Sequence, residues 1–309
     1  MKIGIIGLGR MGNIHLRNYL SLGCKVVALA DLKDISKIGK EVGCNTFEDY
    51  KDLLEEDLDA VSVCTPTTTH FEVAKDCLEA GKHVLVEKPI TNSIEKARKL
   101  VKIAKRNDRK LMVGHVERYN PVVMKCKEIM KENEIQSMFA RRVGLSPPRF
   151  IDSGVILDLA IHDIDVMRFL VGEVRDVKSI ISDGKYENDA FVLLKFENGV
   201  NGCIQVNWLT PYKERTLTLT GVSGVYNVNY MSQEIEFLRT TIKEKYKNFN
   251  QFLKELESYE TIKIPIERKE PIFIELQEFI NCIKEDREPL TSGKEGLKNL
   301  EIALSALKK

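Results

Sequence analysis

The chain has no long apolar run. No stretch approaches the roughly 20 residues that a membrane-spanning helix needs. The opening MKIGIIGLGR meets glycine and arginine too soon for a signal peptide and reads as a strand. An excess of one charge is missing too: 47 basic residues face 46 acidic ones, for a net charge of +1. That balance speaks against nucleic-acid and membrane partners. The seven cysteines are scattered without CxxC or Cys/His spacing. No structural zinc is therefore expected, and the thiols read as reduced and cytoplasmic. Internal repeats and low-complexity segments are absent as well.

What is present is an ordinary globular composition, 43% hydrophobic and 30% charged over 309 residues, a length that suits two domains. In the first part, short apolar runs alternate with helical patterns. Strands are expected at 2–7, 25–31, 59–66, 82–87 and 110–115. Helices are expected at 11–23, around 35–42, and at 46–56, 70–81 and 93–107. Such alternation predicts a parallel sheet covered on both faces. Near Tyr119 the pattern changes. A helix (122–132), a strand (135–145), a loop with Ser146, Pro147 and Pro148, and a helix near 156–171 precede longer strands joined by turns. Residues 190–209 read as a hairpin around Asn198-Gly199, and 216–230 as another turning at Gly221 to Gly224. Two helices, about 271–286 and 294–308, close the chain. The expectation is an α/β protein, with domain 1–118 built on a doubly wound parallel sheet and domain 119–309 on a mostly antiparallel one.

Gly7, Gly9 and Gly12 form G-x-G-x-x-G directly after the first strand and at the start of the first helix. That context reads as a dinucleotide turn. The first glycine permits the tight turn, the second lets backbone approach a pyrophosphate, and the third lets helix pack on strand. The helix N-terminus then offers amides to the phosphates. Asp31 closes the second strand about 20 residues on, where a carboxylate takes both ribose hydroxyls and repels a 2′-phosphate. Leu32, not arginine, follows it, so NAD is expected rather than NADP.

Two other stretches carry chemistry. In GKHVLVEKPI (81–90) a core strand ends in Glu87-Lys88-Pro89. A charge at that depth is costly unless paired or used. Lys88 reads equally as a solvent-facing residue or as a group aimed into a crevice beyond the strand ends. In LDLAIHDIDVM, Asp158, His162 and Asp165 fall at i, i+4 and i+7 on an otherwise apolar helix. They read as a structural His-Asp pair, a metal site, or an acid–base pair.

The segments GIIGLGRMGNIH (4–15), CTPTTTHFEVAKDCLEAGKHVLVEKPI (64–90), GHVERYNP (114–121) and GVILDLAIHDIDVMRFL (154–170) together resemble the Gfo/Idh/MocA oxidoreductases over nearly the whole chain. The resemblance implies a Rossmann domain followed by an α/β domain. The open sheet of that second domain serves as a homo-oligomer interface, in a dimer or tetramer. It implies that Arg10, Met11, Thr65, Pro66, Thr67, His70 and Glu87 join the glycines and Asp31 around NAD. Catalysis is implied for Lys88, often before a cis proline, and for His162, with Asp158 orienting it. Either Lys88 or His162 could take the hydroxyl proton. Arg118, Tyr119, Asn120 and Arg142 are expected on the substrate side, and Arg141 and Arg149 are weighed there too. Arg118 has the alternative of pairing with Glu117. The implied reaction is oxidation of a secondary alcohol of a sugar. Within the family the sequence looks most like dehydrogenases acting at C3 of UDP-N-acetylglucosamine or its uronic acid. The alternatives are an inositol or free-sugar dehydrogenase and a non-catalytic dinucleotide-binding regulator.

Overall fold

The computed structural model describes residues 1–131, 133–145, 153–184, 186–240, 249–250, 253 and 259–308. It divides into two compact units, Met1–Tyr119 with Glu270–Glu301, and Asn120–Lys269 with Ile302–Lys309. The segment Glu270–Glu301, assigned by sequence to the second domain, thus packs within the first unit.

The first unit is a six-stranded parallel sheet, β1 (Lys2–Ile6), β2 (Lys25–Ala30), β3 (Asn45–Phe47), β4 (Ala60–Val63), β5 (His83–Glu87) and β6 (Leu111–Gly114). The order is 3-2-1-4-5-6. The strand order reverses between β1 and β4, so the crevice for a ligand lies beyond their carboxyl ends. Strands β4 and β6 are buried throughout, and β1 and β5 nearly so. That is why they read as continuous apolar runs rather than alternating ones. Helices α1 (Arg10–Ser21), α2 (Ser36–Val42), α3 (Tyr50–Leu54), α4 (His70–Glu79) and α5 (Ile94–Arg106) connect the strands. One expectation is corrected. Residues 46–56 are not one helix: Asn45–Phe47 pairs with β2 as an edge strand, and the helix starts only after the Asp49 cap.

The second unit is an eight-stranded sheet ordered β14-β13-β12-β11-β7-β10-β9-β8. The strands are β7 (Ile135–Val143), β8 (Val174–Ile181), β9 (Asp189–Phe196), β10 (Asn201–Asn207), β11 (Glu214–Gly221), β12 (Gly224–Asn229), β13 (Glu234–Thr240) and β14 (Tyr259–Ile264). All neighbours are antiparallel except β7 and β10. Both expected hairpins are present, β9–β10 and β11–β12. Helices α6 (Pro121–Ile129) and α7 (Ile161–Val171) also belong to this unit. Phe139 on β7, Leu193 and Phe191 on β9, and Ile180 on β8 are exposed. The chain closes with α8 (Pro271–Lys284) and α9 (Gly293–Ala306). Helix α8 packs on α1, inside the first unit.

Candidate active site

The turn after β1 is shaped for close approach. Gly7 has φ +90, and a Cβ there would sit 2.8 Å from the Cys64 carbonyl. A Cβ on Gly12 would lie 1.9 Å from the Gly7 oxygen, so only glycine lets α1 come this near the turn. Gly9 is different: nothing lies within 4 Å of where its Cβ would be. Gly9 is also the N-cap of α1, with no capping side chain, and the first turn holds no acidic residue. The positive end of α1 therefore faces open space. Arg10 is exposed and Met11 half-buried at that end.

Asp31 reaches this turn from the end of β2. Its Oδ2 accepts the Leu8 amide at 2.6 Å and its Oδ1 accepts the Lys33 amide at 2.9 Å. A carboxylate has about four lone-pair positions, so acceptor capacity remains for ribose hydroxyls. Leu32, Ile35, Thr46 and Phe47 help line a hollow beside it. An uncapped helix start, a glycine with nothing over it and a carboxylate one strand away together fit a dinucleotide.

Beyond β4 and β5 the structure builds a buried polar network. Glu87 ends β5 with its side chain turned inward, where His15 Nε2 of α1 lies 3.0 Å from Oε1. Gly114 leaves room for that carboxylate; a Cβ there would stand 3.0 Å from it. His15 Nδ1 meets Ser62 Oγ at 3.2 Å, and Ser62 meets the Tyr19 hydroxyl at 2.8 Å. Burial alone pushes the Glu87 carboxyl up. The His15 hydrogen bond and the charges of His15, Lys88 and His70 more than offset that and hold it below its ordinary value. Glu87 was expected to need a donor; sequence reasoning did not single out His15. The only signal was a polar residue three positions past Gly12, on the buried side of α1. The donor atoms of His15, Cys64 and Glu87 lie within 4.8 Å of one another. His15 and Glu87 are spent on each other. Burial first, then the charges of Glu87 and Glu275, push the Cys64 thiol well up, which keeps it protonated.

Lys88 follows, half-buried between buried Glu87 and Pro89, with a cis Lys88–Pro89 peptide. Thr65 and Thr67 are half-buried and Pro66 exposed on the loop after β4. His70, expected at the cofactor, is instead buried behind that loop. Its ring nitrogens lie 2.8 Å from the Pro89 carbonyl and 2.9 Å from the Thr65 carbonyl.

The residues of GHVERYNP do not form an open surface. Arg118 is buried, donates to the Leu290 carbonyl at 2.8 Å and pairs with Glu295. The buried Tyr119 hydroxyl meets Thr291 Oγ1 at 3.1 Å. Asn120 caps α6 and donates to the Tyr230 carbonyl at 3.1 Å. All three are internal ties of their units.

In the second unit a π-helical turn, Ile156–Ala160, leads into α7. Glu187, also missed by sequence, takes the Ile156 amide on its carboxylate at 3.0 Å. Gly154 permits this, since a Cβ there would come 2.1 Å from the Glu187 carboxylate. Asp158 and His162 are half-buried on this element, and Asp165 is buried. The buried acid next to His162 is Asp163, and it holds Arg142. The guanidinium pairs bidentately, Nε to Oδ2 at 2.7 Å and Nη2 to Oδ1 at 3.0 Å, with both side chains 1% exposed. The Tyr230 ring lies 5.3 Å from it. Arg142 is therefore corrected from a substrate contact to an internal ion pair. Alternation correctly puts Arg141 and Arg142 on opposite faces, but Arg142 faces inward. Arg141 pairs with Glu214 and donates to Gln205 at 3.1 Å. Arg149 and the expected loop at Ser146, Pro147 and Pro148 lie outside the described residues.

Comparison with known proteins agrees with this division. The family model for the GFO/IDH/MocA oxidoreductase NAD-binding Rossmann fold matches residues 1–115, and that for the GFO/IDH/MocA C-terminal domain matches 132–227. UDP-N-acetylglucosamine 3-dehydrogenase of Acidithiobacillus ferrooxidans is 34% identical over 183 aligned residues, covering 58% of each chain. Myo-inositol 2-dehydrogenase of Thermotoga maritima is 26% identical over 332 aligned positions, covering 100% of this chain and 96% of that one. The solved structure of UDP-N-acetylglucosamine 3-dehydrogenase GnnA from Acidithiobacillus ferrooxidans matches at TM-score 0.88 and 25% identity, over 99% of this chain and 96% of that one. Levoglucosan dehydrogenase in complex with NADH and levoglucosan shares the fold at TM-score 0.87 and 20% identity, over the same 99% and 96%.

Proposed function

The chain belongs to the Gfo/Idh/MocA oxidoreductases and is an NAD-dependent dehydrogenase of sugars or polyols; from that premise we propose that its substrate is a UDP-sugar of the UDP-N-acetylglucosamine type, oxidised at C3 to a 3-keto sugar. The observation that carries this reading is the paired likeness to UDP-N-acetylglucosamine 3-dehydrogenase, 34% identity over 58% of the chain and TM-score 0.88 at 25% identity over nearly the whole chain. Inositol oxidation is the second reading, supported by the full-length 26% match to myo-inositol 2-dehydrogenase.

When bound, NAD supplies the hydride acceptor. The chain's residues handle the rest. Gly9 and the start of α1 take the pyrophosphate, and Asp31 takes the adenosine ribose. Lys88 hydrogen-bonds the reacting oxygen and stabilises its developing negative charge. His162 accepts the hydroxyl proton, with Asp158 orienting the ring. A regulator without turnover has no need of such groups. The open sheet face with Phe139, Phe191 and Leu193 supports a homo-oligomer. A monomer in solution at micromolar concentration would remove that part of the reading.

The test is NADH formation at 340 nm with UDP-N-acetylglucosamine, its uronic acid, free N-acetylglucosamine and myo-inositol, each at saturating NAD. The nucleotide is expected to contribute binding energy used at the reacting carbon. The UDP-sugar should therefore exceed the free sugar at least ~100-fold in kcat/KM, about 2.7 kcal/mol. Equal efficiency, or oxidation of inositol alone, would transfer the assignment to the polyol reading.

A further inference from the structure

The His70 ring is bracketed by two carbonyl oxygens, Pro89 O at 2.8 Å from Nδ1 and Thr65 O at 2.9 Å from Nε2. A carbonyl oxygen only accepts. A neutral imidazole has a single N–H and donates to only one of them; both bonds require the doubly protonated ring. His70 is 1% exposed and its bond to the Pro89 carbonyl is buried, so that bond, once lost, would not be replaced by water.

The two carbonyls belong to different loops. Thr65 follows β4, and Pro89 follows Lys88 at the end of β5. Lys88 is thus held from both sides. Glu87, anchored by His15, fixes the residue before it, and His70 fixes the carbonyl of the residue after it. Buried Glu87, paired with His15, also places its negative charge within electrostatic reach of the ring. Of the titratable groups at the ends of β4 and β5, Glu87 interacts electrostatically with His70 and also with His15 and Lys88.

We propose that His70 is a positioning residue for Lys88, acting as an imidazolium that clamps the Thr65 and Pro89 carbonyls together. The inference rests on the reading of Lys88 as the group that touches the reacting oxygen. It assigns His70 no contact with substrate.

Two measurements test it. The first needs no substrate. In protein labelled with 15N at histidine, both ring nitrogens of His70 should resonate as protonated at pH 7.5. Its signal is identified by its loss in His70→Gln. One unprotonated ring nitrogen at that pH would overturn the clamp. The second is a kinetic cycle of His70→Gln, Lys88→Ala and the double variant, with NAD affinity measured on each. His70→Gln is expected to lower kcat about tenfold, leave NAD affinity within twofold, and add nothing further in the Lys88→Ala background. Multiplicative losses in the double variant would make His70 a structural residue only, and unchanged kcat in His70→Gln would refute the proposal. Failure of the underlying reading looks different: Lys88→Ala itself would then turn over like the wild type.

Discussion

Adding one methyl group at Gly9 and at Gly12 should have opposite consequences, although both glycines belong to one motif. At Gly12 the new Cβ would sit 1.9 Å from the Gly7 carbonyl oxygen, an atom of a backbone turn that is itself wedged against Cys64. Ordinary contact begins near 3.4 Å, so turn and helix must separate by about 1.5 Å. Overpacking of this kind costs about 1–3 kcal/mol. For a unit of this size that is a fall in Tm of about 2–12 °C, before any ligand is added. At Gly9 nothing lies within 4 Å, and the backbone φ of −68° suits alanine. A few tenths of a kcal/mol lost at the N-cap and a similar gain from a stiffer unfolded chain nearly cancel. Gly9→Ala should therefore melt within about 2 °C of the wild type, yet the methyl occupies the space the pyrophosphate needs. We expect NAD to bind at least tenfold more weakly, a loss of about 1.4 kcal/mol. Thermal unfolding without NAD and calorimetric titration with NAD separate the two effects. If Gly9→Ala binds NAD like the wild type, or Gly12→Ala melts at the wild-type temperature, the reading of this turn is wrong.

Three further outcomes are expected. Asp31→Ala combined with Leu32→Arg should shift preference from NAD toward NADP, because it removes the carboxylate that repels a 2′-phosphate; a tenfold wild-type preference for NADP in kcat/KM would refute this. Arg142→Ala should destabilise the second unit by about 3–5 kcal/mol, since it breaks a buried bidentate ion pair by removing one partner; a raised KM at unchanged denaturation midpoint would restore Arg142 to the substrate side. Glu87 has a folded pKa below its ordinary 4.5, so its contribution to stability is present above that value and lost as pH falls through the folded one. The Tm gap between wild type and Glu87→Gln should accordingly be full at pH 7 and shrink on acidification below about pH 4.5, and a gap constant from pH 7 to pH 3 would contradict the sign.

Periodicity and turn chemistry were enough to read the parallel sheet, the glycine turn, Asp31 at the end of β2, Lys88 at the end of β5, and the hairpins at Asn198-Gly199 and Gly221 to Gly224. Each of these is written within a few adjacent residues, because strand burial and tight turns are local constraints on side-chain size and φ. Strand β3 was lost to its neighbour's helical pattern. Strands β8, β13 and β14 carry no such signal, because a strand with charged residues on its open face takes its pairing from partners the local sequence does not name. The roles of the polar residues were decided by tertiary structure alone. Arg142 found Asp163, 21 positions away, and Arg118 found Glu295, 177 positions away. Glu87 found His15, 72 positions away. A charged residue near a strand end has the same local signature whether it meets a ligand or a buried partner. Which of the two it meets depends on what the folded chain brings within about 3 Å, and for Arg118 that required Glu270–Glu301 to pack in the first unit.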